Sequence, residues 1–283
     1  MNKLPPEKRA QALQMMAEGI SLRAMTRLTG VSRTTLIKLL EDAGQAFSEY
    51  MDRTLMNLNC KRVQVDEVWG FCYAKQKNVP TAKAAPEGAG DCWTWVGLDA
   101  DSKLAVSFYV GNRDGEAALE FIGDLGKRLA NRVQLTSDGH KAYLNAVEET
   151  FGADVDYAQL VKIYGASPDG GKGRYSPAEC TGAIKYRVEG NPDVKHVSTS
   201  YVERQNLNIR MGNRRMTRLT NAFSKKVENH AHMMAIYFMH YNFVRLHKTL
   251  KITPAMAANV TPKLWEMSDM VSVLEAWEAA QTS

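Results

Sequence analysis

The chain has 283 residues, 45% of them hydrophobic and 24% charged, a balance that excludes a disordered chain and suits one large folded domain or two smaller ones. No apolar run approaches the roughly 20 residues that span a bilayer, and the opening "MNKLPPEKRAQAL" has no apolar signal core, so a cytoplasmic protein is expected, with no membrane partner. The net charge of +5 is unevenly spread: residues 203–251 hold ten Lys or Arg against only Glu203 and Glu228, a local excess of +8 that suggests a polyanion partner.

In chain order, a first helix is expected from Glu7 to Glu18, ended by Gly19. "SLRAMTRLTGVSRTTLIKLLEDAG" then has the layout of a helix-turn-helix. Leu22, Met25 and Leu28 recur at helical spacing, Gly30 breaks the pattern, and Ser32 is a good cap for a second helix with Leu36, Leu39 and Leu40 facing inward. Such units set the start of the second helix in the major groove, which here means Arg33, Thr34, Thr35 and, one turn on, Lys38. Residues 1–45 are therefore expected to be a helix-turn-helix DNA-binding domain, and 46–60 a linker helix.

From Lys61 the pattern becomes β. "VQVDEVWGFCYAK", "CWTWVGLDA" and "LAVSFYVGN" read as three strands of an antiparallel meander. A helix capped by Asp114 follows, then the short strand "RVQLTSD", the helix "GHKAYLNAVEETFG" and the strand "VDYAQLVKIYG". A further helix begins near Ser200. The order β-β-β-α-β-α-β predicts an α/β protein with a ribonuclease-H-like mixed-sheet core over 61–250. The Gly- and Pro-rich stretch near 165–195 is expected to be a flexible loop insertion with at most a short hairpin at "AIKYRVEG", and its "GGKGR" tip could touch a phosphate backbone. A helical tail, 251–283, is acidic and amphipathic, suited to packing on the core or a partner.

Three acids stand out. Asp66 is in mid-strand, Asp138 ends the fourth strand, and Glu203 lies in the helix near Ser200. Neighbouring strands would bring Asp66 and Asp138 together, and a helix across the sheet could add Glu203. Such a cluster repels itself without hard cations, and Mg²⁺ or Mn²⁺ suits carboxylates. Neighbours on a strand point to opposite faces, so Glu67 is expected to be a supporting residue beside Asp66 or the partner of a cation in a salt bridge. Asp99 and Asp101 read as turn residues. His140 could reach a phosphate or make a local hydrogen bond. His230, His232 and His240 read as packing within a long helix. The four cysteines, Cys60, Cys72, Cys92 and Cys180, form no C-x-x-C pair, which argues for reduced, structural thiols.

Taken together, "VDEVWGF", "TSDGHKAY", "STSYVERQNLNIRM" and "MHYNFVRLHKTL" resemble the motifs of bacterial insertion-sequence transposases of the DDE type, nearest to the IS one group and its relatives. The resemblance runs from about Asp66 to Pro254. It implies a core in which Asp66, Asp138 and Glu203 bind two Mg²⁺ (or Mn²⁺) and cut and join strands at element ends. It also implies double-stranded DNA with terminal inverted repeats as partner, a homo-oligomer on paired ends, and a place on the nucleoid. Arg245 and His247 would help hold the DNA backbone, with Leu246 where relatives often have proline. Arg204, Arg210 and Arg214 follow Glu203, and Arg210 and Arg214, four apart, are expected to share a helix face for phosphates. The alternatives are a catalytically silent DNA-binding regulator and a ribonuclease-H-like nuclease that cuts without joining.

Overall fold

The computed structural model describes residues 3–165, 178–217 and 221–282. The expected "GGKGR" tip lies outside these.

Three helices come first: α1 (Pro6–Ala17), α2 (Leu22–Thr29) and α3 (Arg33–Thr54). Local chemistry sets their ends. Ser21 and Ser32 each accept a backbone N–H in the first turn of α2 and α3, at 3.3 Å and 3.1 Å, and Gly30 takes the left-handed conformation that stops α2. Met25 is fully buried, whereas Leu28 is 67% exposed. The boundary expected at residue 45 falls inside α3, which runs unbroken for 22 residues. Gly44 is not a breaker. It is the crossing point with α7 (Val227–Met239), where an added Cβ would stand 2.3 Å from the His232 Cβ.

One six-stranded mixed sheet forms the core, in the order β3-β2-β1-β4-β5-β6. Its strands are β1 (Arg62–Cys72), β2 (Gly90–Asp99), β3 (Ala105–Gly111), β4 (Gln134–Ser137), β5 (Asp156–Tyr164) and β6 (Cys180–Glu189). β1, β2 and β3 form the expected antiparallel meander, and β1, β4 and β5 run parallel. This order is consistent with the ribonuclease-H-like plan.

The expected loop insertion needs a correction. Residues 180–189 form β6, which pairs antiparallel with β5 along its whole length and makes one edge of the sheet. Almost all of β6 is exposed, so it carries no burial pattern for a sequence reading to detect.

Helices α4 (Gly115–Arg128) and α5 (Ala142–Phe151) pack on each other, with α4 against β3, and α6 (Ser200–Gly212) lies across β1 and β2. As expected, Asp114 caps α4 by accepting from the Ala117 N–H at 2.9 Å. Asp99 and Asp101 serve the β2–β3 turn: Asp99 accepts from Ser102, and Asp101 pairs with Arg62. After α7 the chain makes a π-helical turn over His240–Val244, the short α8 (Pro254–Ala257) and α9 (Met267–Ala280). The tail packs on the chain's own first helical layer, since α9 contacts α1 and α3 and Glu278 pairs with Lys3 at 2.8 Å and Arg9 at 3.1 Å. No helix among the described residues is long and apolar enough to cross a membrane.

Candidate active site

The parallel register of β1 and β4 aligns Gln64 with Thr136, so two residues further along each strand come Asp66 and Asp138 at the same level. The short β4 ends at Ser137, which leaves Asp138 free of the ladder. Its Oδ1 accepts from the His140 N–H at 2.9 Å, forming a tight turn at "SDGH". Gly139 suits that turn because an added Cβ would meet Val161 on β5 at 2.9 Å. His140 packs its ring against Trp95 and Tyr143, and its Nε2 is buried without a partner.

Gln64 and Asp66 point from the same face of β1, and both hold α6. Gln64 Oε1 accepts from the backbone N–H groups of Tyr201 at 2.9 Å and Val202 at 3.2 Å, capping the helix from the strand below. One turn further on, Asn206 Nδ2 donates to Asp66 Oδ2 at 2.9 Å. Between these two pins sits Glu203. Gln64→Leu leaves two helix-end donors unpaired, one of them buried, and is expected to cost about 2 kcal/mol in chemical denaturation.

Asp66, Asp138 and Glu203 line one cleft of about 760 Å³, together with Arg113, His140, Lys162 and Thr199. The three are not equally close. One carboxylate oxygen each from Asp66, Glu67 and Asp138 lie within 4.8 Å of one another, and Glu203 is not in that tight group. Lys162 on β5 draws it aside, donating to Glu203 Oε2 at 2.5 Å, while Thr199 donates to Oε1.

Glu67 has the expected salt bridge. Arg113 Nε donates to its Oε1 at 2.5 Å, and the buried Tyr143 hydroxyl donates to Oε2 at 2.9 Å. Strand alternation does not carry its carboxylate out of reach of Asp66, however: the two stay within 4.8 Å of each other. Arg113 also approaches Asp138 at 3.9 Å.

Burial, with the neighbouring charges of Glu67, Asp138 and Glu203, pushes the Asp66 carboxyl up to about 7. This crowding is what a cation would relieve. The donors are all carboxylate oxygens, which suits a hard divalent ion, and the buried, unpartnered Oδ1 of Asn206 is one more oxygen beside Asp66. Asn206, Gln64, Lys162, Arg113 and Tyr143 were not singled out in the sequence, and only the "VERQN" spacing, three residues from Glu203 to Asn206, hinted at one of them.

The expected DNA-contacting residues fall in several places. Arg33, Thr34, Thr35 and Lys38 are all exposed on the first turns of α3, with Lys38 paired to Asp42 at 2.9 Å. Arg33 and Arg214 line a second cleft with Arg23, Arg215 and Lys225, so the helical layer and the segment after α6 share a basic groove of about 530 Å³. Arg204 is exposed beside Glu203. The helix face expected for Arg210 and Arg214 does not form, because α6 ends at Gly212 and Arg214 begins a separate 3₁₀ turn. Arg245 is exposed and His247 half-buried; neither lines the carboxylate cleft, and His247 lies near Lys103 at the β2–β3 turn.

No family model matches the chain, and no curated protein matches it. Among solved structures it is similar to a chain of the cryo-EM structure of a piggyBac transposase synaptic complex with hairpin DNA. The TM-score is 0.41 and the identity 8%, over 97% of this chain and 71% of that one.

Proposed function

We propose that the chain is a metal-dependent DNA phosphoryl transferase, a transposase of an insertion sequence, that cuts and joins DNA strands at the carboxylate cleft. The observation that carries this reading is the meeting of Asp66 and Asp138 at one level of neighbouring parallel strands, with Glu203 lining the same cleft from the turn of α6 that Gln64 and Asn206 hold. Asp66, Asp138 and Glu203 are the residues to hold two Mg²⁺ or Mn²⁺ ions. When bound, such ions polarise a phosphodiester oxygen and make a water or a 3′-hydroxyl a better nucleophile.

The chain's own residues prepare that cleft. Arg113 and Tyr143 fix Glu67 and so shape the wall beside Asp66. Lys162 neutralises Glu203 until a ligand competes for it, then becomes a free cation at the cleft's rim, suited to a phosphate. Lys162→Met removes this competitor and is expected to tighten Mn²⁺ binding several-fold, the scale of an exposed ion pair worth at most about 1 kcal/mol, as read by calorimetry. The basic groove with Arg33 and Arg214 is the proposed track for double-stranded DNA, with Thr34, Thr35 and Lys38 at base edges and Arg204, Arg210, Arg245 and His247 on backbone phosphates.

The test is strand cleavage and joining with Mg²⁺ and labelled DNA carrying the inverted repeats that flank the coding region. The reading requires joined products that vanish in Asp138→Asn and Glu203→Gln. Cleavage without joining would favour a nuclease, and specific binding without cleavage a regulator.

A further inference from the structure

Away from the acidic cleft, at the far end of the β1–β2 hairpin, a second cluster has a different chemistry. The strand register pairs Cys72 with Gly90 and Gly70 with Cys92, which sets the two cysteines diagonally across the ladder, with their Sγ atoms 3.6 Å apart. His230, on α7, completes the group. Its ring nitrogen and the two sulfurs lie within 4.8 Å of one another, and all three residues are buried. His230 is 1% exposed. Its Nδ1 meets the Ser224 hydroxyl at 3.2 Å, whereas its Nε2 is buried with no hydrogen-bond partner.

A buried ring nitrogen left unpaired costs about 1–3 kcal/mol, a cost that a bound cation would offset. Ser224 occupies the other nitrogen, as the outer partner of a ligating histidine does. Arg215 in turn donates to Ser224 Oγ at 3.0 Å, which fixes that hydroxyl beside the ring. Two sulfurs and one imidazole are a soft donor set, unlike the carboxylates near Asp66.

We propose that Cys72, Cys92 and His230 form a structural site for a thiophilic d¹⁰ cation, Zn²⁺ or Cu⁺, which fastens the end of the β1–β2 hairpin to α7. Binding releases the protons of the two thiols and changes no oxidation state. Three donors suit trigonal Cu⁺ directly. Zn²⁺ would complete a tetrahedron with one further ligand, such as a water.

The full chain, reduced and stripped by a chelator under anaerobic conditions, is titrated with Cd²⁺ as an optical probe. The site predicts one equivalent bound with an ultraviolet thiolate-to-metal band, which carboxylates do not give. Cys72→Ser and His230→Gln should weaken binding at least about 10-fold, while Cys180→Ser, at an exposed thiol, should leave it unchanged. Displacement of Cd²⁺ by Zn²⁺ or by Cu⁺ at the lower free concentration tells which ion the site takes. Should the variants fail to fold, X-ray absorption on the zinc-loaded wild-type chain decides, with two sulfur scatterers at about 2.3 Å expected. A shell of oxygen and nitrogen alone, no band, or a band unchanged in folded Cys72→Ser overturns the site.

Discussion

Asp66→Asn is expected to abolish metal-dependent strand cleavage, by at least about 100-fold, the scale on which losing one group that stabilises a transition state is felt. The same substitution is expected to stabilise the chain when metal is chelated. In the folded chain Asp66 keeps its proton to about pH 7, whereas the unfolded chain releases it near the ordinary 3.8. The folded state therefore binds more protons between these values, and its stability falls as pH rises from about 4 to about 7, then levels off. That penalty amounts to at most about 4 kcal/mol, and an uncharged asparagine does not incur it. Thermal melting in chelator across this range should show a downward slope for the wild type and a flatter, higher curve for Asp66→Asn. A merely structural aspartate would give the opposite result, a variant less stable at pH 7 than the wild type.

Asn242→Ala is expected to cost the most stability of any single polar change in the "MHYNFVRLHKTL" stretch. Asn242 is fully buried, and its side chain pairs twice with the backbone of Ala105 on the edge strand β3, accepting from N–H and donating to C=O, each at 3.0 Å. Its removal leaves both backbone groups without partners in a dry site, which costs about 2–4 kcal/mol. Denaturant unfolding should show a midpoint shift of that size. Asn242→Asp, which keeps the acceptor but loses the donor and buries a charge, should be no better. The motif thus has a structural part, in which Asn242 closes the open edge of β3 while Phe243 packs on Trp265 at 4.8 Å and Tyr50 at 5.9 Å. From Arg245 on the stretch turns outward: Arg245, Leu246, Lys248 and Thr249 are exposed and His247 is half-buried.

Asp66 and Asp138 could be found in the sequence because each breaks a strand pattern that otherwise reads as buried, and because order and length left few ways to pair those strands. Glu203 was legible as a helical acid, but its distance from the pair was not, since that depends on Lys162, which no local pattern joins to it. Gln64 lies two residues before Asp66, yet its role is not legible there, because its partners are backbone groups 137 and 138 residues away. The strand β6 was hidden by its exposure: a strand with both faces wet carries no period of two. Gly44, next to the boundary expected at residue 45, is the opposite case. A glycine between helical segments suggests a boundary, and only the packed structure shows the crossing with His232 that calls for it. Cys72, Cys92 and His230 each looked like packing, because their shared surroundings exist only once β1, β2 and α7 are assembled.

The most direct measurement of the central claim replaces the proposed divalent ions with Fe²⁺ and lets peroxide and ascorbate cut the backbone wherever the iron sits. Cleavage is expected in three separated segments, around residues 66, 138 and 203, suppressed by excess Mg²⁺ and lost in Asp66→Asn. Cuts near 66 and 138 but none near 203 would remove Glu203 from the metal site, and cuts at none of the three would contradict the account.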